Sequence, residues 1–351
     1  MSSDVSGENG WYGKQQAHVD KWMDALADPA RANGHGYLLL SAQTPGEGAA
    51  ASSAAAAASG RPAWPYKRRW KLPLFLFLVT CLSTFWAGAA TINAASLLEG
   101  MSAIWRALLH WREGLIYMTA VLGILLAHEM GHFLLTLRHR IPASYPLFIP
   151  MPLSPIGTMG AVIAMQGSQA DRRQLFDIGI AGPLAGLLVA VPVVYFGVLH
   201  AEAAQFTGPV IYHDPLLIYL LRSWLRPEVG ELGLEMSPLL MAGWVGLLVT
   251  GLNMLPMSQL DGGHVTYALF GKKAHWIARL SALTAVVFIV LTETYAWIIM
   301  LALVMLMGLD HPRTLNDNVP LGRFRKGLGW ASLSIPILCF PPLGVSVLTS
   351  Y

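Results

Sequence analysis

Five consecutive residues, His128-Glu129-Met130-Gly131-His132, carry the strongest chemical signal in this chain. On a helix, positions four apart lie one above the other on the same face. Two imidazoles at that spacing can hold one zinc ion. Glu129, next to the first of them, can take the proton of a water that the metal polarises, which readies that water to attack a peptide carbonyl. The run falls inside an apolar stretch, residues 115–137. A carboxylate there costs at least about 2.5–3.5 kcal/mol on insertion scales, and such groups are kept for a pathway, a cavity or a metal. That expense outweighs the bland reading of two histidines satisfied by neighbouring helices.

A catalytic zinc site needs a third protein ligand and one open position. The run Asn253-Met-Leu-Pro256-Met-Ser-Gln-Leu-Asp261-Gly262-Gly263-His264 supplies a candidate. Pro256 and the paired glycines break the helix near the end of its span, and broken backbone at membrane depth is tolerated where it lines a wet cavity. Asp261 is then free to turn to the metal. Alone, an Asp-Gly pair reads as a solvated turn; with the histidine pair at matching depth, the ligand reading is the stronger. Asn253 can donate a side-chain hydrogen bond to a developing oxyanion or clamp the substrate backbone. His264 reads equally as a support to Asp261 or as an interfacial histidine.

The elements that must position these groups follow from hydropathy. Of the 351 residues, 54% are hydrophobic and only 12% charged, half the charge of an ordinary soluble domain. A net charge of +3 is too small to argue for nucleic acid. Cys81 and Cys339 both sit in apolar runs, and a count of two excludes a disulfide framework. No secretory leader is read at the start, because the first apolar run begins only after residue 71. Residues 1–66 read as a flexible cytoplasmic tail with a short helix around 15–26. Spans are expected at 72–93, 115–137, 178–199, 236–256, 274–292, 295–309 and 331–349, the last weakened by Pro336, Pro341 and Pro342. The expected fold is an all-α polytopic membrane protein of six to seven transmembrane helices, the membrane domain covering 67–351.

The Pro-rich stretch 142–155 and the Gly/Val/Ile-rich stretch 157–165 read as a small membrane-associated β-hairpin or re-entrant segment after the metal-binding helix. An edge such as Gly157-Thr158-Met159-Gly160 can hold an unwound substrate by backbone hydrogen bonds; it also reads as a plain hairpin packed on the core. Arg172, Arg173 and Asp177 read as interfacial anchors and a cap. Gly179, Gly182 and Gly186 read as close helix packing. The histidines outside the motifs, among them His139, His213, His275 and His311, read as surface residues. Lysine and arginine set the orientation: Lys67, Arg68, Arg69, Lys71, Arg138, Arg140, Arg172, Arg173, Lys272 and Lys273 fall on one side. That side is the expected cytoplasm, with a bacterial plasma membrane as the expected setting.

The two motifs together, His-Glu-x-x-His and Asn253-x-x-Pro256 followed by Leu260-Asp261-Gly262, resemble the site-2 protease family of intramembrane zinc metalloproteases. Ala181-Gly182-Pro183-Leu184 looks like that family's intervening span, and the likeness covers about residues 115–270. It implies cleavage of transmembrane protein substrates in or near the lipid bilayer, in regulated intramembrane proteolysis. It implies a single Zn2+ on His128, His132 and Asp261, with Glu129 as general base. The loop after the third span is too short for a PDZ domain. The competing classes are a metal-binding transporter and an inactive membrane scaffold. The first calls for an internal repeat, which the sequence lacks; the second calls for the loss of Glu129 or a ligand, and all are present.

Overall fold

A computed structural model of the chain describes residues 70–90, 103–204, 210–230, 232–257 and 259–347. The tail expected over 1–66 and the helix expected over 15–26 lie outside the described residues. The elements run in order as α1 (Lys71–Ala90), α2 (Ala103–Leu109), α3 (Trp111–His139), β1 (Leu147–Met151), β2 (Gly157–Val162) and α4 (Arg172–His200). There follow β3 (Ala203–Ala204), β4 (Val210–Tyr212), α5 (Leu216–Leu225), β5 (Gly233–Leu234), α6 (Pro238–Asn253), α7 (Asp261–Phe270) and α8 (Ala274–Thr292). The chain closes with α9 (Ile298–Leu306), α10 (Gly322–Ser332), α11 (Ile335–Cys339) and β6 (Val345–Val347).

Among the described residues, four segments are long and apolar enough to cross a membrane: Lys71–Ala90, Trp111–His139, Arg172–His200 and Asp261–Thr292. That differs from the six to seven expected spans, for local reasons. The helix expected over 236–256 stops at Asn253 after 16 residues, about 24 Å at 1.5 Å per residue, because the chain turns ahead of Pro256. The span expected at 274–292 begins earlier, since Asp261–Phe270 is helical too, with a bend at Gly271 where φ is +59°. The runs at 295–309 and 331–349 give a nine-residue helix and a broken pair, α10 and α11, followed by a strand.

The core forms where α3, α4 and α6 pack together, around Trp244, Leu240, Met241, Leu247, Val194 and Ile124. Helix α6 is apolar all round and buried along most of its length, as a central helix must be. Small residues let α1 approach α3: a Cβ added at Gly88 would lie 2.6 Å from that of Tyr117. Helix α4 starts on a full capping box. Asp171 accepts from the backbone N–H groups of Arg173 and Gln174, and the Gln174 side chain accepts from the Asp171 N–H. The cap is therefore Asp171, not Asp177. The Asp177 carboxylate instead accepts two hydrogen bonds from Arg325 on α10, at 2.6 and 2.9 Å.

Strands β1 and β2 pair antiparallel with a register shift between Phe148 and Pro150. The hairpin expected after the metal-binding helix is therefore present. Its turn is fixed to two helices: Tyr117 donates to the Ile156 carbonyl at 2.7 Å and Ser83 to the Gly157 carbonyl at 2.7 Å. Gly157 has φ +80°, and a Cβ there would strike the Ser83 carbonyl oxygen at 2.6 Å, so this contact requires glycine. The base of the hairpin lies near Tyr145, whose ring packs against Phe133. A hairpin held at Tyr117 and at Phe133 runs along α3 past the level of His128 and His132.

Candidate metal centre

Histidines 128 and 132 project from α3 about 16 and 10 Å from its C-terminal end, at 1.5 Å per residue. Asp261 is the first residue of α7, and Asn253 the last of α6. The Nε2 of His128 lies 3.1 Å from Asp261 Oδ2, and that of His132 lies 3.3 Å from Asp261 Oδ1. The two Nε2 atoms are 3.2 Å apart. Asn253 Nδ2 stands 3.4 Å from the Nε2 of His128. Glu129 is buried beside them, 5% exposed.

Glycine makes this convergence possible. A Cβ at Gly182 would overlap the His132 imidazole, and one at Gly186 would lie 3.1 Å from His128 Nδ1. A Cβ at Gly131 would run into the Ala181 carbonyl of α4. The α4 glycines, read from the sequence as helix packing, thus clear space for the two rings. Pro183, in the same turn, offers no N–H to the carbonyl of Gly179. The adjacent Ile178 carbonyl accepts a hydrogen bond from His132 Nδ1–H at 2.7 Å. On the other side, a Cβ at Gly262 would collide with the Met254 carbonyl. Only glycine lets the backbone after Asn253 fold against the first turn of α7, which sets Asp261 beside Asn253.

The donor set fits a metal ion. With the His132 proton held at Nδ1, its Nε2 carries a lone pair, as a metal ligand requires. Among the described residues, the ligand atoms of His128, His132 and Asp261 all lie within 4.8 Å of one another. Lone pairs crowded at such distances repel unless a cation stands among them. The His128 Nδ1 is buried without a hydrogen-bond partner among the described residues. That leaves a cost of about 1–3 kcal/mol, which a bond to metal at Nε2 would offset.

The sequence profile of peptidase family M50 matches residues 116–293, half of the chain. The chain belongs to peptidase family M50. This agrees with the site-2 protease resemblance carried by the two motifs. The chain is 32% identical over 231 residues to a protein of Arabidopsis thaliana named probable zinc metalloprotease EGY1, chloroplastic. The match covers 64% of this chain and 42% of that one. It is 30% identical over 166 residues to the Arabidopsis thaliana protein named probable zinc metalloprotease EGY2, chloroplastic, covering 46% and 29%. A third relative, probable zinc metalloprotease EGY3 of Oryza sativa subsp. indica, is 30% identical over 182 residues, covering 47% and 30%. The chain spans less than half the length of these relatives. Their names are chloroplastic and lend no support to the bacterial plasma membrane expected from the basic flanks; membership of family M50 and the four apolar segments make the chain a membrane protein.

Several residues escaped sequence reasoning. His311, read as a surface residue, is 6% exposed, and its Nε2 lies 2.6 Å from His264 Nδ1. His139, His213 and His275 are also part-buried and partnered, by Asp177, Ser346 and the His311 carbonyl. None of them sits at ligand spacing from another histidine, so no local pattern marks them. Of the hairpin residues, Thr158 is buried and its hydroxyl donates to the Ile149 carbonyl, whereas Met159 is 53% exposed.

The steric argument yields a test of the centre. Gly182→Ala should push the His132 ring aside and lower zinc retention by about tenfold or more, the scale of supporting-residue losses. Metal analysis of the purified variant after dialysis against a weak chelator reads the effect. Wild-type retention would show that the ring is not held by this glycine.

Proposed function

We propose that the chain is an intramembrane zinc metalloprotease that hydrolyses peptide bonds of transmembrane protein substrates, in regulated intramembrane proteolysis. The observation that carries the reading is the convergence of His128, His132 and Asp261 around one point, with the Glu129 carboxylate next to the first ligand and no ligand itself. A transporter has no use for that fourth group. The catalytic core is then about residues 115–270.

His128, His132 and Asp261 would hold one Zn2+ through two imidazole nitrogens and a carboxylate oxygen. When bound, zinc supplies Lewis acidity, which acidifies water and polarises the scissile carbonyl. Glu129 takes the proton from the attacking water as its oxygen bonds to the carbonyl carbon. The same carboxyl then hands that proton to the amine nitrogen as the C–N bond breaks. We assign the Asn253 amide as donor to the oxyanion that develops; its support is its position 3.4 Å from the His128 ring. The Ile178 carbonyl keeps the His132 ring turned to the centre throughout.

A helical substrate hides its peptide bonds and has to unwind before attack. The β2 segment Gly157–Val162 is the surface we assign to the unwound stretch, paired edge to edge. Its support is the course of the hairpin past the histidine level, with Met159 side chain outward. The end of α3 nearer the metal, with Arg138, Arg140, Arg172 and Arg173, faces the cytoplasm in this reading.

Three measurements bear on these proposals. Glu129→Gln should keep about one zinc per chain yet lose cleavage of single-span reporter peptides in liposomes by about 10²–10⁴-fold. Cleavage at the wild-type rate would remove Glu129 from the chemistry, and zinc without cleavage in the wild type would favour a scaffold. A photo-crosslinking residue at Met159 should capture the reporter, whereas one at Trp224 on α5 should not; equal yields would detach β2 from substrate binding. A cysteine placed at Lys273 should react with an impermeant thiol reagent only from the cytoplasmic side, and reaction from the other side alone would invert the topology.

A further inference from the structure

One turn after Asp261 stands His264, which takes no part in the steps proposed above. Its Nδ1 lies 2.6 Å from the Nε2 of His311. His311 belongs to the segment 308–321, beyond the residues matched by the family profile. That segment is tied down on several sides. Arg172 N–H donates to the Asn316 carbonyl and Leu315 N–H to the Ala170 carbonyl. Tyr267 donates to Asp317 at 3.0 Å, and Arg173 to the Pro320 carbonyl at 3.0 Å. The His311 ring is stacked on Tyr267, centroids 4.5 Å apart at 19°, and is 6% exposed. The ring is held between His264 and Tyr267.

The protons of this pair follow from the chemistry of its last acceptor. His311 Nδ1 lies 2.6 Å from the Pro312 carbonyl. A carbonyl only accepts, so His311 carries its proton on Nδ1. Burial first, with His264 nearby second, pushes the His311 imidazole down to about 3, so the ring is neutral and its Nε2 is bare. The short contact to that bare nitrogen requires a proton on His264 Nδ1. The His264 Nε2 is then a lone pair, and it has no protein partner among the described residues. The pair cannot be a proton wire, because the Pro312 carbonyl has no proton to pass on.

We propose that His311 is a positioning residue, which locks His264 in the Nδ1–H tautomer and so presents the His264 Nε2 lone pair, one turn from Asp261, as the hydrogen-bond acceptor for water entering the metal centre. A donor at that place would orient water with its oxygen lone pair toward the ring; an acceptor leaves the water's oxygen free to face the metal and Glu129. The inference rests on the protease reading for its consequence, and on the ring geometry alone for the tautomer.

The experiment uses the full zinc-loaded chain in detergent with 15N-labelled histidine. The His264 signals, assigned by their loss in His264→Asn, should show a protonated Nδ1 and a bare Nε2. His311→Phe keeps the stacking on Tyr267 but offers no acceptor. It should let His264 populate the Nε2–H form and lower kcat for the liposome reporters about tenfold or more, with KM, zinc content and melting unchanged. His311→Gln returns an acceptor oxygen and should restore both the tautomer and a rate within about threefold of wild type. An Nε2–H tautomer in the wild type overturns the lock outright. A Phe variant whose tautomer shifts without slowing cleavage overturns the functional half. A wild type that cleaves no reporter overturns the protease reading, and the tautomer still decides the lock.

Discussion

Three side chains with lone pairs are brought to one buried point, and most of the surrounding structure follows from what that costs. Imidazole nitrogens and carboxylate oxygens at 3.1–3.3 Å repel one another in a medium of low dielectric unless a proton or a metal cation stands between them. They are also large groups meeting where three helices cross. The packing answer is glycine on the facing surfaces: Gly182 and Gly186 leave volume for the two rings, and Gly262 lets the backbone after Asn253 press against the start of α7. The same helices pay for this opening with a dense apolar core on the far side, around Trp244 and its neighbours.

The membrane sets a second condition. Backbone groups in hydrocarbon must find partners within the protein, yet the centre needs irregular backbone on two sides. Both breaks are sheltered. The turn between Asn253 and Asp261 is closed by backbone hydrogen bonds from Met254, Leu255 and Met257 and by the close contact at Gly262. The hairpin after α3 pairs with itself and with Ser83 and Tyr117. Where Pro183 removes one helical hydrogen bond in α4, the neighbouring Ile178 carbonyl orients His132.

The segment 308–321 extends the same logic outward. Leu309 and Leu321 pack in apolar clusters, and the rest of the segment is held by hydrogen bonds to Ala170, Arg172 and Arg173 at the start of α4 and to Tyr267 of α7. Through His311 it touches His264, three residues after Asp261 in the first turns of α7. The start of α4, helix α7 and this connection are therefore tied together by polar groups and by the apolar cluster of Phe176, Ile180, Val265, Ala268 and Leu321.

The sequence by itself determined the helix that sets His128 and His132 on one face and the hairpin that follows it, and it marked Asp261 and Glu129 as the third ligand and general base proposed here. Each rests on local rules: imidazoles four apart share a helix face, an apolar run is long or short, and glycine with β-branched residues favours an extended chain. Span number was less legible, because a proline or glycine inside an apolar run can end a helix or only bend it; Gly271 bends one that continues, and Asn253 ends one ahead of Pro256. Tertiary structure alone decided which glycines face the imidazoles, that the Ile178 carbonyl sets the tautomer of His132, and that His311 pairs with His264. Those partners are separated by 46 and 47 residues. No periodicity links positions so far apart; only the packing of one helix or segment against another brings their atoms within hydrogen-bond reach.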